Sequence, residues 1–363
     1  MKMNKVLALC LSPDQGGLEL YILKLLKYYN ESGQNITVAC SKGSYISKNI
    51  NSNKIECYSS GLFKKVFNFF MIRKHIIDNN LTIIHVSWSK DIFLSIMLKI
   101  FTPGAIKVIF YRQMKISRSK KDMYHKLIYR HIDSIMVITD KLKAEAMKNL
   151  PVESKKIHKL TYGIERPPYD KLIEKSSFFE TDNMNPKTFS IGIFSRIEEQ
   201  KGQHLVLSAI NKSKHDLQLF IIGHCMDDKY KNKLHTMAID YKLSSKLKFI
   251  DFVTSPMSYM PCFDLIILPT YEETFGLIVV EAMLMKVPVI GSNAGGVPEI
   301  INDGDNGLLF ETRNDNDLVK KIDYIIENKG IREKIIKNAF EYASKNYDNA
   351  QHFTELEKIM NTL

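Results

Sequence analysis

The stretch DLIILPTYEETFGLIVVEAM, residues 264–283, contains the pattern on which the fold prediction depends. Asp264 to Thr270 is a short apolar run typical of a buried strand, and Gly276 to Met285 is typical of a helix. The loop between them carries Glu273, and Glu281 follows inside the helix. A strand, a short loop and a helix in this order form the repeating unit of a parallel α/β sheet.

The same unit recurs along the whole chain. In the first half, apolar runs predict strands at 5–11, 35–40, 81–87, 105–111 and 133–139, with helices at 16–30 and 62–76. Residues 163–187 have a double proline and no clear period, which predicts a linker. Further strands are predicted at 189–195, 217–223, 246–252, 264–270 and 287–292, and helices from 331 onward. Strands that are nearly all Val, Ile and Leu indicate two doubly wound, Rossmann-like α/β domains, with ligands at the carboxyl ends of their strands.

Composition agrees with a two-domain globular chain. The 363 residues are 45% hydrophobic, which is enough for two buried cores. Ten histidines without ligand spacing and a lone Asp227-Asp228 pair give no metal-binding pattern. The five cysteines are scattered without a CxxC pair, so we expect reduced thiols; they are Cys10, Cys40, Cys57, Cys225 and Cys262.

The N-terminus, MKMNKVLALCLSPDQGG, superficially resembles a lipoprotein signal. Its apolar stretch, Val6 to Leu11, is shorter than the core of a signal peptide, so we expect a buried first strand instead. No apolar run has the length needed to span a bilayer.

Charge is divided unevenly between the two halves. Residues 1–168 contain 28 Lys and Arg against 12 Asp and Glu, whereas the remainder contains 23 against 28. A basic first half suggests an anionic partner, such as a membrane surface, a phosphorylated substrate or nucleic acid. The alternative is that these lysines only keep helices soluble. Residues 115–130 are basic but match no nucleic-acid recognition motif, so we expect no nucleic-acid partner.

Two loops after predicted strands suit a phosphorylated ligand. Gly16 and Gly17 follow the first strand and open a helix, where backbone N–H groups approach phosphate, although a plain tight turn fits equally well. In SRIEEQKG, residues 195–202, Arg196 and Lys201 follow the first strand of the second half. Guanidinium and ammonium groups both bind phosphate oxygens, but this segment alone fits an ordinary solvated loop better.

The two carboxylates in the opening stretch are the stronger signal. We expect Thr274 to cap the helix, whose first free N–H groups come from Phe275, Gly276 and Leu277. Glu273 would precede the helix and Glu281 would lie just over one turn inside it. The alternative, a loop acid and a solvent-facing helix residue, explains poorly why Glu281 follows four apolar residues. A glycine-rich loop at 291–307, with Gly295, Gly296 and Glu299, is a further candidate or simply two turns.

Together these motifs resemble the family 4 retaining glycosyltransferases, group 1 of the glycosyl transferases, which have the GT-B fold. The resemblance covers nearly the whole chain and is carried by GGLE at 16–19, LTIIH at 81–85, DSIMVIT at 133–139, SRIEEQKG at 195–202, the strand ending at Gly223, FDLIILPTYEETFGLIVVEAM at 263–283 and VPVIGSNAGGVPEIINDGDNGLLF at 287–310. It implies two Rossmann-like domains facing across a cleft.

The resemblance also implies roles for individual residues. Glu281 would bind the ribose hydroxyls of a nucleotide-sugar, and Arg196 and Lys201 would hold its diphosphate. Glu273 would contact the transferred sugar and support an oxocarbenium-like transition state. Backbone groups would complete the donor site without a metal or other cofactor; they belong to Gly16, Gly17, Gly223, Thr274, Phe275, Gly276 and Leu277.

The chain departs from the family pattern at several positions. The family places a histidine just after the strand at 105–111, where this chain has Tyr111, Arg112 and Gln113. The role of that histidine is therefore absent here or passes to Arg112 or another residue. His85 matches a different family position, at the end of the preceding strand. Lys286 and Tyr162 replace a family glycine and asparagine, and both changes look structural.

The resemblance gives the basic first half a purpose, because in this fold the N-terminal domain receives the acceptor. Residues 61–75, GLFKKVFNFFMIRKH, mix cations with four phenylalanines and suit an anionic lipid surface. The favoured alternative is an ordinary helix that packs its phenylalanine face on the sheet.

The resulting prediction is a cytoplasmic, metal-independent, retaining hexosyltransferase, with peripheral attachment to the inner membrane face as a hypothesis. Residues 1–168 would bind a glycan or lipid-linked acceptor, and residues 169–345 would bind the nucleoside-diphosphate sugar, UDP by default. Residues 346–363 would form a helix packing back toward the first domain. The product would be a cell-surface polysaccharide or lipopolysaccharide. A phosphorylase, a sugar-phosphate synthase or a nucleotide-sugar-binding protein with weakened catalysis are the alternatives.

Overall fold

The computed structural model describes residues 5–34, 36–58, 61–181 and 184–363, and its chain divides into two units. Unit 1 comprises Met1–Thr161 and Ala350–Leu363, and unit 2 comprises Tyr162–Asn349. Each unit is a parallel sheet with helices, as the alternation of strands and helices in the sequence predicts.

Unit 1 contains a seven-stranded parallel sheet in the order β3-β2-β1-β4-β5-β6-β7. Its strands are β1 Val6–Cys10, β2 Ile36–Ser41, β3 Lys54–Cys57, β4 Ile83–Val86, β5 Lys107–Arg112, β6 Ser134–Val137 and β7 Ile157–Lys159. Its helices are α1 Gly17–Glu31, α2 Tyr45–Lys48, α3 Leu62–Asp78, α4 Ile92–Phe101, α5 Met123–Tyr129 and α6 Asp140–Asn149. All five residues of β1 are buried, which confirms that the apolar N-terminal stretch is a core strand.

Unit 2 contains a six-stranded parallel sheet in the order β10-β9-β8-β11-β12-β13. Its strands are β8 Phe189–Phe194, β9 Leu217–Ile222, β10 Leu247–Ile250, β11 Leu265–Leu268, β12 Val289–Ser292 and β13 Leu308–Phe310. Its helices are α7 Lys175–Thr181, α8 Gln203–Lys212, α9 Asp228–Asp240, α10 Pro256–Tyr259, α11 Leu277–Leu284, α12 Asp315–Glu327 and α13 Lys329–Asn346.

The last helix, α14 Asn349–Asn361, packs on α1 within unit 1. The rings of Tyr28 and Phe353 stack with centroids 3.9 Å apart. The hydroxyl of Tyr28 also donates to Glu357 Oε1 at 3.0 Å. Aromatic burial and hydrogen bonding therefore hold the end of the chain against the first helix.

Two expectations about local structure are wrong. Residues 163–187 are not only a linker, because they contain α7, whose Phe179 is fully buried and packs against Phe220 with ring centroids 5.2 Å apart. The phenylalanine face of α3 does not pack on the sheet either. Phe63, Phe67 and Phe70 are 92%, 55% and 59% exposed.

All five cysteines are free thiols, four of them buried and Cys225 exposed, as expected from their spacing. Within the described residues, no helix is both long enough and apolar enough to cross a membrane.

Candidate functional site

The predicted site residues of unit 2 follow two neighbouring strands at the middle of its sheet. Arg196 and Lys201 come after β8, and Glu273 comes after β11, which pairs with β8. The sheet order here is β9-β8-β11-β12. The chain therefore runs from β8 toward one edge of the sheet, to β9, and from β11 toward the other edge, to β12. This arrangement is the topological switch point where open α/β sheets bind ligands.

Lys201 and Glu273 form an ion pair across the switch point. Lys201 Nζ donates to Glu273 Oε2 at 3.0 Å, and the two side chains are 17% and 24% exposed. Two residues separated by 72 positions in sequence are therefore in direct contact, at the edge where the sequence predicted a phosphate ligand. The half-buried pair places one positive and one negative group side by side.

Arg196 is the more exposed cation of the site. Its Nη2 lies 3.0 Å from Glu198 Oε1, and its side chain is 57% exposed. The buried Gln203 donates from Nε2 to the backbone oxygen of Arg196 at 2.8 Å and to Ser195 Oγ at 3.0 Å. The backbone below the guanidinium is therefore fixed, while the charged end extends into solvent.

Helix α11 begins beside Glu273, but its cap differs from the expectation. The N-cap residue is Gly276 and no side chain caps the helix, so the expected Thr274 cap is wrong. Instead the backbone N–H of Thr274 donates to Glu273 Oε1 at 3.1 Å. The first turn of α11, which starts at Leu277, carries the amides that lack intrahelical acceptors and the positive end of the helix dipole.

Glu281 is the fifth residue of α11 and is half-buried, just over one turn from the start of the helix. Side chains in a helix lean toward its N-terminus, so the carboxylate lies over the turn that begins at Leu277. Phe275 has a different position, since its ring is buried between Tyr162 and Tyr347 with centroids 5.1 and 5.7 Å away. Only the backbone of Phe275 is therefore suited to contact a ligand.

The glycine-rich loop after β12 holds the loop that carries Glu273. The N–H of Gly296 donates to the backbone oxygen of Glu273 at 2.9 Å. Gly295 has φ +62°, and a Cβ at this position would lie 1.7 Å from the same oxygen. Only glycine allows both this left-handed conformation and this approach. The loop is therefore part of the site rather than an isolated pair of turns.

Gly223, predicted to contact the donor, follows β9 and meets the neighbouring backbone closely. A Cβ there would lie 2.2 Å from the backbone oxygen of Ser195. The contact joins the end of β9 to the segment that carries Arg196. Gly223 thus has a packing role in addition to its predicted one.

A chain of hydrogen bonds that reaches the turn carrying Lys201 was not predicted from the sequence. His204 bonds through Nδ1 to the hydroxyl of Tyr230 and through Nε2 to the hydroxyl of Tyr271, both at 2.8 Å. The backbone N–H of Tyr271 donates to Gln200 O at 2.9 Å, which joins the β11 loop to the turn that carries Lys201. Burial lowers the pKa of His204, so the ring stays neutral at physiological pH.

An aromatic pair lies at the same edge, beyond β9. The rings of His224 and Phe252, which follow β9 and β10, stack with centroids 4.6 Å apart and planes inclined by 5°. Both residues are exposed, Phe252 by 37%. No sequence pattern predicts this pair, because the two residues are adjacent only once β9 and β10 are paired.

The predicted site residues of unit 1 lie at the carboxyl ends of its strands. Gly16 is the N-cap residue of α1 and Gly17 is its first residue, so the predicted helix N-terminus is present. Arg112 ends β5, is 9% exposed, and donates from Nη2 to the backbone oxygen of Lys115 at 2.5 Å. His85 is fully buried in β4, and its ring stacks on that of Tyr21 at 5.9 Å.

Among the described residues, no group of three or more His, Cys, Asp or Glu side chains is placed to hold a metal ion.

The chain is similar to proteins of known structure and to curated glycosyltransferases. HepE of Anabaena, solved in complex with UDP, has a TM-score of 0.86 with 18% identity, covering 99% of this chain and 100% of that chain. CapM of Staphylococcus aureus, a capsular polysaccharide biosynthesis glycosyltransferase, is 25% identical over 63% of this chain and 61% of its own length. MJ1178 of Methanocaldococcus jannaschii, an uncharacterized glycosyltransferase, is 32% identical over 44% of this chain and 45% of its own length. The chain thus spans less than two thirds of these two relatives.

The two parallel α/β units and the structural similarity define the chain as a GT-B protein. Residues 174–342, which include every predicted site residue of unit 2, match the family model Glycosyl transferases group 1. The predicted GT-B fold and the group 1 resemblance are confirmed. Membership of family 4 is compatible with the match and stays a prediction.

Proposed function

We propose that the protein is a retaining glycosyltransferase that moves a hexose from a nucleoside-diphosphate sugar, UDP-sugar by preference, to a glycan or lipid-linked acceptor. The acceptor belongs to cell-surface polysaccharide or lipopolysaccharide synthesis. The observation that carries the proposal is the contact of Lys201 with Glu273 beside the first turn of α11.

The chemistry of this contact suits a sugar donor whose leaving group is a diphosphate. As the bond from the sugar C1 to the phosphate oxygen breaks, negative charge grows on the nucleotide and positive charge grows at C1. Lys201, Arg196 and the start of α11 stabilise the negative charge, and the carboxylate of Glu273 stabilises the positive charge. The N–H of Gly296 holds the backbone of Glu273. The turn that carries Lys201 is joined to the β11 loop through Tyr271, whose hydroxyl bonds His204.

The remaining groups of the site bind the nucleotide. Glu281 accepts hydrogen bonds from the ribose hydroxyls, because a carboxylate is an acceptor suited to a vicinal diol. The stacked rings of His224 and Phe252 provide an aromatic face for the base at the same edge of the sheet. The UDP in the HepE complex supports UDP as the nucleotide.

The acceptor is assigned from charge and from relatives. Residues 1–168, which include nearly all of unit 1, have a large excess of Lys and Arg, and this excess favours an anionic or phosphate-containing acceptor. CapM and the O-antigen glycosyltransferase WclY of Escherichia coli, a relative 27% identical over 43% of this chain, take part in surface glycan synthesis by name.

A donor panel tests the proposal directly. Thermal shifts with UDP-, GDP- and ADP-sugars identify the nucleotide, and product analysis with a lipid-linked acceptor identifies transfer and the anomeric configuration. We expect the UDP-sugar to give the largest shift, and retained configuration in the product.

Activity should persist in EDTA, because two cations and the helix N-terminus neutralise the diphosphate. An inverted product would refute the retaining assignment. Binding without transfer would instead identify a nucleotide-sugar-binding protein, and transfer to inorganic phosphate would identify a phosphorylase.

A further inference from the structure

Helix α3 exposes a stripe of large aromatic side chains. Phe63, Phe67 and Phe70 are 92%, 55% and 59% exposed, and their i, i+4, i+7 spacing places them on one face. Lys74 is exposed at the next position of the same stripe. Three exposed phenylalanines on one helix face are unusual for a soluble surface.

The other face of α3 fixes the helix to unit 1. Ile72 and Ile76 are buried, and the buried Asn68 makes two hydrogen bonds to the backbone of Tyr58, at 3.0 and 2.8 Å. His75 Nε2 lies 3.0 Å from Thr37 Oγ1. The phenylalanine stripe is therefore held outward by specific contacts and is not a loosely packed core face.

The apolar surface continues from α3 onto α4 and α5. Arg73 Nε donates to the backbone oxygen of Phe101 at 2.7 Å, which joins α3 to the end of α4. Helix α5 packs beside α4. Large apolar side chains on α4 and α5 are more than half exposed, namely Phe93, Phe101, Met123, Tyr124 and Leu127. We call the exposed surface of α3, α4 and α5 the outer face.

Positive charge surrounds this apolar surface. The segments 61–78, 89–101 and 114–130 contain twelve Lys and Arg residues against three Asp and no Glu. Lys64 and Lys65 are exposed beside Phe63. Lys121, just before α5, and Lys126, on α5, are exposed too. An apolar surface flanked by cations matches the interface of a membrane that contains anionic lipid, where phenylalanine enters the acyl boundary and lysine meets headgroup phosphates.

We propose that the outer face docks unit 1 on an anionic lipid bilayer. The charge of the face argues against its covering a second copy of this chain, because a two-fold interface would place the same cationic surfaces against each other. Docking needs neither donor nor acceptor, so it stands apart from the proposed function, and each can fail without the other.

Vesicle co-sedimentation with the full chain tests the proposal. The probe is phosphatidylcholine vesicles with about one third phosphatidylglycerol, compared with phosphatidylcholine alone, at low and high salt. The test variant is the triple substitution Phe63→Ser, Phe67→Ser and Phe70→Ser. The matched control is Ile239→Ser with Tyr169→Ser, which removes side chains 67% and 90% exposed on unit 2.

We expect the wild-type chain and the control to bind the anionic vesicles, with binding lost in high salt. The triple variant should bind at least about ten-fold more weakly, while its melting temperature and its UDP affinity stay unchanged. Replacing Lys65 and Lys74 by Glu should weaken binding to the anionic vesicles in the same way without removing apolar area.

Three outcomes would overturn the proposal. The wild-type chain fails to bind anionic vesicles at low salt, or the triple variant binds as well as the wild type. The third is a dimer, seen by light scattering, that the triple variant abolishes, which would assign the outer face to a second copy.

Discussion

Lys201 Nζ lies 3.0 Å from Glu273 Oε2, so the cation expected to bind the donor phosphates already contacts the carboxylate expected to bind the sugar. Without a bound sugar donor, the ammonium group of Lys201 and the carboxylate of Glu273 neutralise each other's charge. A diphosphate entering the site would offer Lys201 a second anionic partner without removing the first, because an ammonium group has three donors. The pair therefore keeps Lys201 in position before the donor binds.

Replacing Lys201 by Met should weaken UDP binding by about ten- to a hundred-fold, the range expected for one hydrogen bond between charged groups. Isothermal titration with UDP measures this change. Lys233→Met is the matched control, because Lys233 pairs with Glu199 at 3.2 Å on the same unit but both side chains are more than half exposed. Equal UDP affinity of the Lys201 variant and wild type would contradict the assigned role.

The two carboxylates should separate in steady-state kinetics. Glu273→Gln should lower kcat by about a hundred-fold or more with little change in donor KM, because its charge acts mainly on the transition state. Glu281→Gln should mainly raise donor KM, because a ribose contact is equally strong in the ground and transition states. If both substitutions changed the same parameter by the same factor, the division of roles would be wrong.

The close approach of Gly295 to Glu273 gives a test of positioning. Gly295→Ala places a Cβ against the backbone oxygen of Glu273, so the loop must move and kcat/KM should fall by about a hundred-fold. Gly304→Ala is the control, since Gly304 has φ +81° but open space around it. Both variants carry the strain of a left-handed alanine, about 1–3 kcal/mol, and both should melt at a lower temperature.

Only the Gly295 variant should lose activity beyond its loss of stability. Activity assays well below both melting temperatures separate the two effects. An active Gly295→Ala variant would indicate that the position of Glu273 is not critical.

The sequence predicted the central strands correctly because they are continuous apolar runs, as in Val6–Cys10 and Leu265–Leu268. The apolar pattern does not reveal β3, β7 and β13, which are three or four residues long and lie at the edges of their sheets. Charged residues in β3 and β7 obscure the pattern further. Helix α7 is not recognisable from the sequence because its seven residues show no period. The buried Phe178 and Phe179 and the ion pair of Lys175 with Asp264 attach it to the rest of unit 2.

The site was predictable residue by residue but not as an assembly. The spacing of Glu273 and Glu281 is local, so a sequence pattern can identify it. The hydrogen bond from Gly296 to Glu273 and the bond from Tyr271 to Gln200, next to Lys201, depend on strand order, which brings distant loops to one edge. On α3 the helical period of the phenylalanines was predicted correctly, but their face is exposed instead of packing on the sheet. Apolar periodicity does not distinguish a face that enters the core from one that stays exposed.

Buried histidines in unit 1 predict acid sensitivity. Burial lowers the pKa of His85 and of His352 to about 4. His352 Nδ1 donates to Thr161 O at 2.6 Å, so its Nε2 accepts from the hydroxyl of Tyr21 at 3.1 Å in the neutral ring. The carbonyl of Thr161 can only accept, so the proton of the neutral ring is on Nδ1. Nε2 is then free to accept from Tyr21, and this hydrogen bond links α14 to α1.

The direction of the pH effect follows from these pKa values. The unfolded chain takes up protons at about pH 6.5, before the folded chain does, so the stabilisation is complete above that pH and declines as the pH falls toward 4. Each histidine should lower the free energy of unfolding by about 2 kcal/mol at about pH 5 relative to pH 7.5. Trp88, the single tryptophan, lies in unit 1 and reports its unfolding in urea.

His85→Phe should remove the roughly 2 kcal/mol that His85 contributes to this acid destabilisation, because the ring stays buried among Tyr21 and Tyr111 but no longer titrates. Asp91, whose pKa burial raises to about 7, acts in the opposite direction in both proteins and does not change this difference. His215→Gln removes a histidine that contacts Glu327 in unit 2 at 3.1 Å and should leave the Trp88 transition unchanged. A His85→Phe variant with the full wild-type loss between pH 7.5 and 5 would show that proton uptake elsewhere destabilises unit 1. The urea midpoint at the two pH values distinguishes these outcomes, since a burial-driven shift must disappear with the titrating ring.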